Sequence, residues 1–212
     1  MISSASNLDQ TPNDAFDLAS DKATRIVGVC GSLSTDSSTR RVLALALEGA
    51  RQAGAQTYLL DLRDFHLPFA ESGYDAASFP DIEKLNRLVR ESDGLIWATP
   101  EYHGSFSGAL KNALDLGSFD EYGGKVIALL GVAAGQIGAI NALSHLRTVA
   151  RQLHGWVLPH QVSIARAYGA FDENGALKDV KLGESVDKLG AEVTKWARLH
   201  RDAAAENTNA NA

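Results

Sequence analysis

The chain alternates short apolar segments with segments of helical periodicity, five times over. After the first apolar segment, for example, Val42, Leu43, Ala46 and Leu47 recur at helical spacing. Strands that are apolar on both faces form parallel sheets, because right-handed crossovers cover each face with helices. The sequence therefore predicts an α/β fold with helices on both faces of a five-stranded parallel sheet, whose strands are 25–30, 57–62, 95–98, 126–131 and 156–164.

The 212 residues fit one such domain. We expect the domain at residues 25–202, between mobile polar tails at 1–24 and 203–212. A flavodoxin-like strand order, 2-1-3-4-5, is one of the common orders for this class and puts the ligand crevice beyond the carboxyl ends of the first and third strands. The loops that follow Cys30 and Ala98 are therefore the first places to look for a functional site.

Composition disfavours several classes of partner. The net charge is −6 and no block of Lys or Arg occurs, so we expect no binding to nucleic acid. The longest apolar run, 126–134, is far shorter than the roughly 20 residues that cross a bilayer, and the N-terminus does not resemble a secretory signal. A lone cysteine, Cys30, cannot form an intramolecular disulfide, and the histidines lack metal-ligand spacing. We expect a cytoplasmic protein without a metal site or a membrane partner.

The loop after the first strand is rich in hydroxyl side chains and opens a helix. Free N–H groups at a helix N-terminus bind anions, so the loop predicts a phosphate site. It lacks both the Gly-Lys-Ser/Thr ending of a nucleoside-triphosphate loop and the three-glycine fingerprint of a dinucleotide turn. Without that fingerprint, Asp61 at the end of the second strand is interpreted as a solvated strand end. The alternative is that Ser37, Ser38 or Thr39 simply caps the helix.

The loop after the third strand, 99–107, combines a proline, glycines and aromatic residues. Pro100 stiffens the exit from the strand, and Gly104 allows close approach of a ligand to the backbone. Tyr102 and His103 suit a flat ring system, whereas Phe106 occupies the position where a hydrolase would carry its nucleophilic serine. The alternative is a hairpin-like loop whose aromatic residues pack on the helix that follows.

The two segments GSLSTDSSTR at 31–40 and TPEYHGSFSGALKNALD at 99–115 resemble the NADPH-dependent FMN reductase family of flavodoxin-like proteins, which includes azo-dye, quinone and chromate reductases. The resemblance covers roughly residues 25–200. The chain departs from the family pattern at Ser34, Thr39 and His103, where relatives often carry Arg, Asn and Asn. The resemblance implies that FMN is bound by Ser32, Ser34, Ser37, Ser38, Thr39, Arg40, Pro100, Glu101, Tyr102, His103, Gly104 and Gly135. For Gly135, in the segment 131–138, a plain strand-to-helix turn is the alternative.

The same resemblance implies hydride transfer from NADPH or NADH, through FMN, to a quinone, azo compound, free flavin or metal oxyanion. No catalytic side chain is assigned, because the flavin carries the chemistry. It also implies a homodimer or homotetramer. Two alternatives remain: a flavodoxin-type one-electron carrier without NAD(P)H turnover, and a flavin-free regulatory domain on the same fold.

Overall fold

The computed structural model describes residue 16 and residues 23–71 and 76–210. Strands and helices alternate through these residues. The strands are β1 (Thr24–Cys30), β2 (Ala55–Asp61), β3 (Gly94–Tyr102), β4 (Ser105–Phe106), β5 (Val126–Val132) and β6 (Trp156–Ile164). The helices are α1 (Ser38–Gln52), α2 (Pro80–Glu91), α3 (Gly108–Asp115), α4 (Phe119–Tyr122), α5 (Ile140–Gln152) and α6 (Val180–Ala210).

The long strands form a parallel sheet in the order β2-β1-β3-β5-β6, which confirms the flavodoxin-like order. The prediction of five strands was wrong in number, because β4 pairs antiparallel with β3 and makes a sixth. The third strand also runs four residues past its predicted end at Ala98. Its residues 99 and 100 pair with β5, and Glu101 and Tyr102 pair with β4.

Each strand contributes alternate residues to two separate cores. Ile26, Ile96 and Leu130 belong to the core that α1 and α6 cover. The intervening residues, such as Val27 and Trp97, belong to the core that α2, α3 and α5 cover. Because side chains alternate across a strand, residues that are apolar at every position bury both faces of the sheet, as the sequence predicts.

Helices α1 and α6 touch through their backbones. A Cβ atom added to Gly190 of α6 would lie 2.0 Å from the carbonyl oxygen of Ala46, and one added to Gly49 of α1 would lie 2.5 Å from that of Asp187. Real side chains do not approach so closely, so glycine at both positions lets the two helices pack at short distance. Helix α1, which begins at the loop after β1, is thereby held against α6.

The structure describes parts of both segments that were predicted as tails. Residues 203–210 continue helix α6. Most of 1–24 lies outside the described residues, but Thr24 begins β1. Phe16 is buried, with its ring 6.5 Å from that of Tyr58 and the Arg25 guanidinium 5.9 Å from its centre. An aromatic side chain can bury considerable apolar area, which accounts for the packing of Phe16 against Tyr58.

Candidate functional site

Hydrogen bonds tie the loop after β1 to the chain around β3 and β4. The Gly31 N–H donates to the Ala98 carbonyl at 2.8 Å, and the Ser107 hydroxyl donates to the Gly31 carbonyl at 2.6 Å. The Ser107 N–H donates to Oγ1 of Thr99 at 3.0 Å. A Cβ atom on Gly31 would lie 2.8 Å from Cβ of Leu110, so the close approach requires glycine. The two loops predicted as the site therefore meet at the carboxyl edge of the sheet.

Ser37 caps the helix that follows the first loop. Its hydroxyl oxygen accepts the N–H of Arg40 at 3.1 Å, as the capping alternative proposed. A helix leaves its first N–H groups without acceptors of its own, and this cap satisfies one of them. The N–H groups of Ser38 and Thr39, at the first two helical positions, remain directed out of the helix end. The Ser37 hydroxyl also keeps its own proton for a further acceptor.

Ser32 lies at the base of the same turn. It is buried, and its hydroxyl oxygen accepts the Ser34 N–H at 3.4 Å. Residues 33–36, which include Ser34, are exposed at the rim. Asp36 on that rim is paired with Arg41. The turn thus places hydroxyl and N–H donors beside a helix N-terminus, a donor set that fits an anion.

Asp61 was misinterpreted from the sequence: it is a buried charge, not a solvated strand end. Only 3% of its surface is exposed, and Nε of Arg40 and Nη2 of Arg63 lie 3.0 and 2.5 Å from Oδ2. Burial alone would raise the pKa of Asp61. Hydrogen bonds and charge from Arg63, together with a hydrogen bond from Arg40, outweigh it, so this pKa lies below its ordinary value. Arg40, predicted as a cofactor-binding residue, therefore also holds this carboxylate.

The second loop is a tight β-hairpin. Pro100 is buried in β3, Glu101 is half-buried and Tyr102 is 55% exposed. His103 and Gly104 form the turn with φ of 50° and 77°. Positive φ at both central residues is the type I′ geometry that joins two antiparallel strands, and His tolerates it better than most residues. The hairpin alternative is thus correct for the backbone, but the Tyr102 side chain faces solvent.

Two contacts attach this hairpin to α5. The Glu101 carboxylate accepts the Ala142 N–H at 3.0 Å, in the first turn of α5, and Ser105 Oγ lies 3.0 Å from Nδ1 of His145. The residue that precedes α5, Ala139, has no side chain able to cap the helix. Glu101 performs that task from β3, 41 residues away, and no local sequence signal announces it.

A cavity of about 300 Å³ lies beside the hairpin. Its walls are Glu101, His103, Gly104 and residues 133–138, which include Gly135. Arg166 holds this last segment, since its N–H donates to the Gly135 carbonyl at 3.0 Å and its Nη2 to Gln136 at 2.9 Å. Arg166 has a left-handed φ of 49°, and the sequence analysis did not single it out. The structure therefore brings Gly135 next to the hairpin residues.

The family model described as NADPH-dependent FMN reductase matches residues 24–169. The chain belongs to this family. It is an oxidoreductase that depends on FMN and NAD(P)H and acts on a small-molecule electron acceptor, which confirms the predicted family, cofactors and class of reaction. The alternative of a flavodoxin-type carrier is not favoured.

Individual FMN reductase relatives extend the match. The NAD(P)H-dependent FMN reductase of Pseudomonas aeruginosa is 34% identical over 182 residues, which cover 84% of this chain and 97% of that protein. The NADPH azoreductase of Bacillus sp. strain OY1-2 is 35% identical over 142 residues, covering 67% of this chain and 75% of that protein. A solved structure with the same fold is that of FerB, a flavoenzyme NAD(P)H:(acceptor) oxidoreductase from Paracoccus denitrificans. It superposes with a TM-score of 0.73 at 22% identity, and the match covers 84% of this chain and 99% of that one.

The residues at both loops fit the FMN of this reductase family. Hydroxyl and N–H donors at the start of α1 suit its phosphate. At Gly104 and Gly135, a Cβ atom would meet nothing within 4 Å, so open space borders the backbone where a flat ring would lie. The assignment of individual residues to FMN stays a prediction.

Two features are absent from the described part of the chain. No helix there is long and apolar enough to span a bilayer. No group of three or more His, Cys, Asp or Glu side chains there has the geometry of a metal site.

Proposed function

We propose that the protein transfers reducing equivalents from NADPH or NADH to a quinone, azo compound, free flavin or metal oxyanion, with FMN bound across its two tied loops. The observation that supports this most directly is the Ser107 hydrogen bond to Gly31, which sets an anion-binding turn beside an open hairpin. When bound, FMN would accept hydride from the nicotinamide and reduce the second substrate. The protein's own contribution is to bind and orient the two rings.

The turn after β1 would hold the phosphate of FMN. Ser32, Ser34, Ser37, Ser38 and Thr39 supply hydroxyl and N–H donors, and the end of helix α1 adds its dipole. These groups are positioned before any ligand arrives, because Ser37 is locked as the cap of α1 and Ser32 is buried. Binding therefore requires little reorganisation of the turn. Arg40 stands next to them and adds positive charge.

The hairpin would line the ring of the flavin. Pro100, Tyr102, His103 and Gly104 border it mainly through their backbone, and the N–H groups of His103 and Gly104 can stabilise negative charge that develops on the ring. Glu101 acts differently, because its carboxylate is already engaged at the start of α5. It keeps α5, and with α5 the segment that contains Gly135, at a fixed distance from the hairpin.

The nicotinamide and the acceptor would occupy the site in turn. Both exchange electrons with the same flavin ring, so we propose that the oxidised nicotinamide leaves before the acceptor takes its place. Acceptors are named differently among the relatives, as FMN in one and azo compounds in another. Exposed side chains at this end, such as Ile137 and Tyr168, offer apolar surface for flat acceptors.

We further propose a homodimer or homotetramer in the cytoplasm, with residues 25–202 as the folded unit. Trp156, Trp196 and Leu199 are 63%, 44% and 46% exposed beside a groove along β6, an apolar patch of the kind that oligomer interfaces cover. Light scattering should give a mass of at least twice 22.6 kDa. A lone buried thiol, Cys30, suits a reducing compartment.

The decisive experiment combines flavin titration with turnover. The purified protein should take up FMN, turn yellow and oxidise NADPH rapidly when a quinone or azo dye is added. The variant Ser32→Asp should lose FMN affinity, because a carboxylate would face the phosphate, whereas Ser144→Asp, on the exposed surface of α5, should not. Uptake of FMN without NADPH oxidation would indicate an electron carrier, and a protein that takes up no FMN would contradict the proposal.

A further inference from the structure

The phosphate turn itself has no positive charge. Residues 31–39 contain one charged side chain, Asp36, and it is negative. A phosphate monoester carries about −1.5 to −2 charges at pH 7. Arg40, directly after the turn, is the one cation of the segment 31–40, so hydroxyls, a helix dipole and this single guanidinium would have to balance that charge unless a second cation reaches the turn from elsewhere in the fold.

Such a cation reaches the turn from the end of β2. Nη1 of Arg63 donates to the carbonyl oxygen of Ser34 at 3.3 Å. The same guanidinium and that of Arg40 both bind the buried carboxylate of Asp61. Arg40, Asp61 and Arg63 together carry one net positive charge at the edge of the turn. Since Arg40 also donates its backbone N–H to Ser37, the cluster is continuous with the helix cap.

The two guanidinium groups retain hydrogen-bond donors. Of the five N–H groups of an arginine, Arg40 uses only Nε in its side-chain bonds to the part of the chain that the structure describes, which leaves both of its Nη groups without an acceptor there. Arg63 uses Nε, Nη1 and Nη2 for Asp61 and Ser34 and still has one proton on each Nη. Each arginine side chain is 29% exposed, so a ligand in the turn can reach it.

We propose that Arg63 is a phosphate-binding residue of the FMN site, that Arg40 supplies the second guanidinium, and that Asp61 is the positioning residue that aims both at the turn. This inference rests on the proposed function and adds to it a source of charge that lies outside the two loops. Asp61 serves this purpose because it is buried and fixed, so neither arginine has to be ordered when the ligand binds. An arginine also offers paired donors that match phosphate oxygens, which a lysine does not.

The test compares FMN with riboflavin, which has the same ring and lacks the phosphate. In fluorescence titrations of the full chain, Arg63→Gln should weaken FMN binding on the order of tenfold, as expected for the loss of one charge-assisted hydrogen bond at a partly exposed site. Riboflavin binding should not change. Arg63→Lys should give an intermediate loss of FMN affinity, because lysine keeps the positive charge but lacks the paired N–H donors of arginine.

Two further variants keep the result interpretable. Arg51→Gln removes an arginine that pairs with Glu48 at the far end of the same helix, roughly 16 Å from Arg40, and should leave both affinities unchanged. If Arg63→Gln alone does not fold, the double variant Asp61→Asn with Arg63→Gln removes the buried carboxylate that would otherwise lose a partner. Because the double variant keeps one net positive charge on Arg40, a selective but smaller loss of FMN affinity is expected there, from the missing guanidinium donors alone.

The possible outcomes separate cleanly. Equal affinity of wild type and Arg63→Gln for FMN, or an equal loss for FMN and riboflavin, overturns the inference. If FMN binding is unchanged but the KM for NADPH rises while that for NADH does not, Arg63 serves the 2′-phosphate of the donor, and the assignment to FMN is wrong. If the wild type itself binds no FMN, the proposed function fails rather than this inference.

Discussion

Removal of one hydroxyl group should loosen both halves of the flavin site. In Ser107→Ala, the carbonyl of Gly31 loses the hydroxyl that donates to it at 2.6 Å. The N–H of Leu110 loses the oxygen that it donates to at 3.1 Å. Ser107 is buried, so water cannot readily replace these partners. The variant tests whether the tie between the loops contributes to stability.

The expected magnitude follows from these two losses. Ser107 is the N-cap of α3, and replacement of a serine cap by alanine costs about 1 kcal/mol. A buried carbonyl left without its donor costs about 1–3 kcal/mol more. We therefore expect the free energy of unfolding to fall by about 2–4 kcal/mol in total.

Urea unfolding followed by tryptophan fluorescence measures this loss. With a slope of about 2 kcal/mol per molar urea, the midpoint should fall by about 1–2 M. Asp179→Ala is the control, because Asp179 is exposed directly before α6 and its carboxylate accepts the Leu182 N–H at 3.1 Å without joining the two loops, so only the cap contribution of about 1 kcal/mol is expected. Equal midpoints for the two variants would refute the reasoning.

Three more predictions follow from other parts of the fold. Burial lowers the pKa of Lys125 from 10.5 to about 8, so between these pH values the unfolded chain binds more protons than the folded one. The free energy of unfolding of wild type relative to Lys125→Met should therefore rise from pH 8 to 10.5. A difference in urea midpoints that does not change with pH would contradict this. Burial raises the pKa of the Cys30 thiol to about 11, so an aromatic disulfide reagent at pH 8 should label it only after unfolding; rapid labelling of the native protein would refute this. Gly138→Ala should destabilise the protein by about 1–2 kcal/mol, since its φ is 78° and the new Cβ would lie 2.4 Å from Oγ of Ser163; an unchanged melting temperature would count against this.

The sequence predicted the sheet well because burial on both faces leaves a strong pattern. The strand β5, for example, is buried along its whole length, so its sequence is a continuous apolar run that stands out from the polar segments around it. The order followed from a topological rule rather than from any residue. What could not be predicted was β4, since two residues are too few to show alternation. The continuation of β3 past Ala98 depends on pairing with β5 and β4, which only the folded chain reveals.

The candidate site was predictable to the level of its loops, not of its contacts. Two of the three segments followed from the strand ends, and the resemblance added the third. Glu101 caps a helix 41 residues away, and Asp61 binds Arg40 from 21 residues away as well as its near neighbour Arg63; local sequence could have indicated only the pair with Arg63. Ser107 did carry a local signal, because a serine directly before a helix is a common cap.

The backbone contact between α1 and α6 bears on how the protein is made. A nascent chain that has emerged from the ribosome only as far as β6 already contains every residue proposed for the flavin. It still lacks Gly190 and the rest of the helix against which α1 is packed. We therefore expect the apoprotein to bind FMN only after α6 has been synthesised, since until then α1, which begins at the phosphate turn, lacks the helix that it packs against.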